Sequence, residues 1–478
     1  MKDLPEYWRS RWLFERGLAL IYLVAFLAAA EQFVPLAGEH GLLPAPLFVR
    51  EVPFRFAPSL FYWSPTDTAF RLGAWLGVLL SALGLSGLPA RAGAVAGGAV
   101  WALLYVLYLS FINVGQTFYA FGWESLLVEM GFFAIFAGGR TVAPMAALNW
   151  IYRWTLFRLM FGAGLIKWRG DTCWRDLTCL DVFFETQPMP NPLSWYFHHL
   201  PRTILHSGVV INHIVELAVP FAFVLPQPYA GVAGLITILF QLMLVLGGNL
   251  SWLNWLTIVL ALTAMDDRFF RWLPVRVPPL RPPRTTRRIV VAVLAGIVIL
   301  LSVGPVLNLL SSGQLMNTAY NPLQIVNSYG AFGSITKARD EIVIEGSAVD
   351  DTGDPAVWRA YEFKGKPGDP ARLPPQVAPY HLRLDWLMWF AAMSTPTEHP
   401  WFQVLLLKLL QGDQATLGLL RTNPFPNEPP RWVRAQLYRY RFTSPAERAA
   451  TGEWWKRELV APYFPALRRG PRTGGQNP

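Results

Sequence analysis

A chain of 478 residues with 53% hydrophobic, 14% aromatic and only 15% charged side chains, and a mean hydropathy of +0.30, is too apolar for an ordinary soluble globule. The net charge of +10 does not point to nucleic acid, because the basic residues stand in short segments flanking apolar runs, the pattern that sets membrane topology. Composition therefore predicts a membrane protein, with membrane lipids as its first partner and no nucleic acid.

Lys2, Arg9, Arg11 and Arg16 precede the apolar run Gly17–Leu36, which is about long enough to cross a bilayer and places the N-terminus in the cytoplasm. No short apolar core with a small-residue cleavage site precedes it, so the first span is expected to act as its own targeting signal. The Pro- and aromatic-rich segment Ala37–Arg71 reads as an ordered external loop. Runs Leu72–Leu88 and Ala92–Ile112 follow, joined by a cytoplasmic turn at Arg91. A shorter run, Leu126–Ala137, needs its flanks to cross; a fifth extends from Pro144 to Ile166. Spans six to eight are read at Gly208–Leu225, Tyr229–Leu246 and Leu250–Met265. The segment Arg268–Arg288, with seven arginines and no acid, is cytoplasmic by the positive-inside rule, and Ile289–Leu310 leads the chain out again.

The fold class expected is thus a polytopic α-helical membrane protein of about nine spans, range 7–9, with a C-terminal extracytoplasmic α+β domain. Residues 1–310 form the membrane part with an external loop at 167–206, residues 311–467 the outer domain, and 468–478 a disordered tail. In the outer domain Ile342–Glu345, Trp358–Phe363 and Arg431–Phe442 have strand character, whereas Trp401–Gln411 and Ala415–Arg421 read as short helices.

Cys173 and Cys179 are the whole cysteine inventory and lie in the outer loop. A structural disulfide, buried free thiols and thiol exchange on a client are all open; an oxidising compartment permits the first. The CxxxxxC spacing, with His198-His199 as a loose second half, does not make a zinc site, and no metal or cofactor is expected. Arg158 and Glu129 are the expected intramembrane ion pair among Arg153, Arg158, Lys167, Glu124 and Glu129, since ionisable groups at membrane depth pair, face a cavity or act. His213 and Glu216 stand at i, i+3 in span six; with Lys167 they are the catalytic candidates, against the plainer reading of one buried hydrogen bond. Asn191, Trp195, Tyr196, His198 and His199 form a Pro-stiffened aromatic and amide patch suited to interfacial anchoring or to client binding. Arg383, Asp385 and Trp386 form a mixed polar and aromatic phrase that reads either as client or interface binding or as a structural turn with an ion pair at the domain–membrane seam. No GxSxG elbow, P-loop or GxGxxG after a strand occurs, which argues against a lipase, an ATPase or a nicotinamide enzyme. Paired Gly/Pro-broken spans of the transporter kind are missing as well.

The phrases GAGLIKWRGD, CWRDLTC, ETQPMPNPLSWYFHHLP, VNSYGAFG, IEGS and RLDWLMWF resemble the lipase maturation factor family over about Asn149 to Phe442. The resemblance implies a multi-spanning membrane protein that acts as a chaperone-like factor, helping secreted dimeric lipases, or a similar client, to fold and assemble. It implies an endoplasmic reticulum membrane in a eukaryote and the plasma or inner membrane in a bacterium. The alternative is a membrane-embedded enzyme acting on a lipid or secreted polypeptide through His213 and Glu216. Whether the chain is an enzyme stays open at this stage, with a folding factor preferred.

Overall fold

The computed structural model describes residues 6–350, 353–354 and 357–470. In chain order the main helices of the first part are α1 (Trp8–Ala37), α2 (Asp67–Ser86), α3 (Ala94–Val114), α4 (Gly122–Ala134), α5 (Ala146–Arg169), α6 (Arg202–Val224), α7 (Tyr229–Gly247), α8 (Leu253–Ala261) and α9 (Thr285–Leu310). Six of them, all but α4, α5 and α8, are long and apolar enough to cross a membrane. The chain is thus a polytopic helical membrane protein.

The other three correspond to the fourth, fifth and eighth apolar runs read from the sequence. α4 has 13 residues and α8 has 9, whereas α5 has 24 but carries Arg153, Arg158, Lys167 and Arg169. A physical reason for their composition is position: nearly every residue of α4 is buried inside the protein, so its polar groups meet protein partners instead of lipid.

α1 is buried along most of its length and forms the axis of the bundle. Its rings make an aromatic ladder: Phe26 stands edge-on to Tyr108 at 5.1 Å and Phe33 edge-on to Phe111 at 4.8 Å, both on α3. α2 and α9, by contrast, expose Leu72, Trp75, Leu79, Ile299 and Leu300 on one side. Such rows of large exposed apolar side chains are what a lipid-facing helix requires.

From Arg339 onward the chain is α+β. Strands β1 (Arg339–Ser347), β2 (Arg359–Ala360), β5 (Trp432–Phe442) and β6 (Trp455–Arg468) form an antiparallel sheet in the order β2-β1-β5-β6, while β3 (Glu362–Phe363) pairs with β4 (Leu420–Thr422). Helices α10 (Arg383–Ala392) and α11 (Pro400–Gln411) cover it, with Leu384, Leu387, Met388, Leu405 and Leu409 in the core. The Trp358–Phe363 stretch is two short strands, and Ala415–Arg421 changes from helix to strand at Leu420. The expected disordered tail began at Arg468, which instead closes β6; residues 471–478 lie outside the described residues, as does Lys2.

Candidate functional site

The segments whose phrasing stood out in the sequence meet in one seam between the helices and the α+β domain. Two glycines of GAGLIKWRGD make the closest approach. A Cβ at Gly162 would sit 2.4 Å from the Tyr329 carbonyl oxygen, and one at Gly164 would sit 2.9 Å from Cβ of Glu216. Only hydrogen fits at either position, so α5 packs on VNSYGAFG from one side and on α6 from the other. Asp171 N donates to Gly333 O at 2.8 Å just beyond the helix.

Glu129 of α4 is held at the centre of this seam. Its carboxylate accepts from Arg158, from Thr155 Oγ1 at 3.2 Å, from Asn327 N and Nδ2 at 3.0 Å each, and from the Tyr329 hydroxyl at 2.6 Å. Arg158 also donates to Asn327 O. A buried charge pair persists only when its remaining hydrogen-bonding capacity is met, and here Asn327 and Tyr329 meet it.

A second buried pair lies nearer the end of the bundle. Arg383 Nη1 donates to Glu124 Oε1 at 2.6 Å and to Phe118 O at 2.8 Å, and its guanidinium carbon stands 3.5 Å from the Tyr119 ring centre. Tyr108 OH donates to the other Glu124 oxygen at 2.6 Å. His381 lies 3.6 Å from Glu124; burial pushes its imidazole down to about 4, so it is neutral at physiological pH. Asp385 accepts from Gly365 N at 2.6 Å and Lys366 N at 3.0 Å, and Trp386 packs on Trp123 and Phe121. Arg383, Asp385 and Trp386 are each buried to within 3% of full burial. They thus stand as buried residues of the seam, with Arg383 ion-paired to Glu124, and not as an exposed surface.

The loop spanning residues 167–206 folds over the end of α6. Cys173 and Cys179 form a disulfide, and between them Trp174 donates from Nε1 to Phe332 O at 2.9 Å. His213 and Glu216 are not brought together. A π turn at Ile214–Ala218 widens the helix, leaving His213 Nε2 on Trp174 O at 2.9 Å, while Glu216 takes Lys167 Nζ at 2.5 and 2.7 Å and Asn212 Nδ2 at 3.0 Å. The i, i+3 spacing assumed α geometry, which the π turn replaces. Closing a loop of this size restrains the unfolded chain by roughly 2 kcal/mol. Cys173→Ser is accordingly expected to lower the unfolding temperature by a few degrees without abolishing the fold, as read by thermal unfolding in detergent.

In the next stretch Asn191 Nδ2 donates to Leu246 O at 3.0 Å and Trp195 Nε1 to Thr443 O at 2.8 Å, so both are interior joints between the loop, α7 and β5. His199 Nδ1 sits 2.7 Å from Trp195 O. Of the five residues read as a binding patch, Tyr196 is the most open, at 49% exposure, His198 and His199 are half-buried, and Asn191 and Trp195 are buried. Burial, reinforced by His199, pushes the His198 imidazole down to about 4 from 6.5. The unfolded chain therefore binds a proton that the fold excludes, so this contribution to stability is complete above pH 6.5 and is lost as pH falls toward 4. Unfolding temperatures measured from pH 7 to pH 4.5 are expected to fall less steeply for His198→Asn than for wild type.

Sequence reasoning missed the Glu124–Arg383 pair, whose members are 259 residues apart, and a cavity of about 1050 Å³ beside Lys167 and Glu216. Among the described residues no group of three or more His, Cys, Asp or Glu side chains is arranged to hold a metal ion.

These features define a polytopic membrane protein whose helix bundle is keyed to a C-terminal α+β domain by the buried Glu124–Arg383 ion pair. Family models describing the lipase maturation factor transmembrane domain and the lipase maturation factor C-terminal domain match residues 9–272 and 325–465. Lipase maturation factor 1 of Mus musculus is 43% identical over 97% of this chain and 88% of its own length, and that of Homo sapiens 43% over 96% and 88%. Lipase maturation factor 2 of Homo sapiens is 29% identical over 97% of this chain and 83% of its own length. The chain belongs to the lipase maturation factor family. No solved structure matches it.

Proposed function

We propose that this chain is a maturation factor that holds partly folded secreted lipases until they assemble, and that it acts by holding and not by catalysis. The observation that carries the reading is how the candidate catalytic groups are used. Glu216 is neutralised by Lys167 and Asn212, and His213 holds the outer loop through Trp174 O. Such arrangements fix shape and leave no positioned acid–base pair. With Arg383, Asp385 and Trp386 in the interior, the client meets the outer loops instead, where Tyr196 is open and Phe54, Phe56 and Trp63 are exposed. Apolar area of this kind covers client surface that would otherwise aggregate.

The same reading has nine crossings, with the N-terminus cytoplasmic and the C-terminal domain on the far side. Its support is the sorting of the connections. Trp8 Nε1 donates to Arg140 O at 2.8 Å, Arg11 Nη1 to Val142 O at 2.9 Å and Ala143 N to Arg281 O at 3.0 Å, which gathers the arginine-rich segments at one end of the bundle. The α+β domain meets the opposite ends of the helices through Glu124 and Gln32. The membrane is the endoplasmic reticulum in a eukaryotic host and the inner membrane in a bacterial one.

The test is complementation of cells that lack their own maturation factor. Lipase activity per unit of secreted lipase is expected to be restored by the wild type and to stay above about half in His213→Ala, since that variant loses one neutral hydrogen bond of about 1 kcal/mol. Complete loss in a normally folded His213→Ala would move the assignment to an enzyme.

A further inference from the structure

The cavity of about 1050 Å³ opens at the end of the bundle that carries the α+β domain and runs inward between α5, α7 and α8, with α10 and residues 312–336 around its mouth. Its size lies at the upper end of small-molecule sites. The inner wall is carbon: Leu159, Met160, Leu244, Leu253 and Phe121. The polar groups that do reach it are already partnered. Asn254 Nδ2 donates to Gln241 Oε1 at 2.8 Å, Gln241 Nε2 to Met160 Sδ at 3.6 Å, and Lys167 is tied to Glu216. A peptide segment would bring backbone N–H and C=O groups into this interior with nothing to receive them, a cost of roughly 1–3 kcal/mol for each group. A hydrocarbon chain meets no such penalty.

The mouth is mixed, with Ser312, Asn317 and Ser334 exposed beside Leu315, Met316 and Met393. Trp386, 3% exposed, closes part of the wall with its indole ring. We propose that the cavity binds one long-chain acyl lipid, with the chain between α5, α7 and α8 and the polar head at the mouth. The acyl group can come from a membrane phospholipid or from a free fatty acid, and the chemistry of the cavity is common to both.

The experiment uses the purified full chain in nanodiscs and two photo-reactive probes, a diazirine-bearing long-chain fatty acid and a phosphatidylcholine carrying the same chain. Label is expected on peptides containing Leu159–Ile166 and Trp386–Met393. Ala163→Trp, which places an indole in the cavity, is expected to lower that label roughly tenfold by steric exclusion, while Leu239→Trp on the outer face of α7 leaves it unchanged. Each variant is checked by its unfolding temperature, and Leu253→Trp replaces Ala163→Trp if the latter fails to fold. Label from the fatty acid alone identifies free fatty acid as the source, and label from phosphatidylcholine identifies membrane lipid. Label confined to the outer faces of α2 and α9, or cavity label indifferent to both cavity-filling variants, overturns the proposal. None of these readouts involves a lipase, so the outcome is separate from that of the maturation assay.

Discussion

Glu124→Gln is expected to destabilise the chain by about 3–5 kcal/mol, because it leaves the Arg383 guanidinium buried without a counter-charge. Arg383 sits at 0% exposure with Phe118 O, the Tyr108 hydroxyl and the Tyr119 ring among its other neighbours, and none of them replaces a carboxylate. Tyr108 OH would also lose its charged acceptor, now at 2.6 Å. Since Arg383 begins α10 and Glu124 lies on α4, the damage is expected at the junction, with the α+β domain released before the helices unfold. Limited proteolysis should cut between residues 311 and 336 in the variant and not in the wild type. The double change Glu124→Gln with Arg383→Met removes both charges and is expected to recover at least half of the loss.

Gly164→Val is the second large effect. A Cβ there meets Glu216 Cβ at 2.9 Å and Leu217 Cδ2 at 2.8 Å, so the two helices must separate or the π turn must unwind. Overpacking of this type costs about 1–3 kcal/mol, and breaking the Lys167–Glu216 contact adds an unpaired buried charge to it. The variant is expected to unfold at a clearly lower temperature than Gly84→Val, whose Cβ would meet Ala19 Cβ at an ordinary 3.5 Å. Equal behaviour of the two would show that the close approach of α5 and α6 is not needed.

Much of the helical architecture is legible in the sequence because an apolar run of bilayer length has few other uses. The short helices are harder. α4 and α8 are shielded by neighbours, so their length and charge follow the protein interior and not the lipid. The buried charges of α4 and α5 stand out because ionisable groups are rare in apolar runs, but what they bond to is set by tertiary placement. Nothing in the local pattern links Glu124 to Arg383 across 259 positions. For His213 and Glu216 the spacing misled, since a π turn changes which neighbours share a face. The phrase beginning at Arg383 mixes charge and aromatics as a binding surface does, and a buried clamp uses the same residue types; exposure alone separates them. β6 escaped notice because Pro462 and Pro465 argue against a strand, yet it lies at the sheet edge, where proline costs no ladder bond.

The most direct test of the holding role is reconstitution. The purified chain in nanodiscs would be mixed with a denatured dimeric lipase during its dilution from denaturant, and active lipase dimer measured against the amount of chain added. A holding factor predicts a yield that rises until chain and lipase are about equimolar, with His213→Ala close to wild type and a chain lacking the exposed Tyr196 and Trp63 rings less effective. A yield unaffected by the chain, or one that saturates at a small fraction of equimolar and is abolished by His213→Ala, would contradict the account.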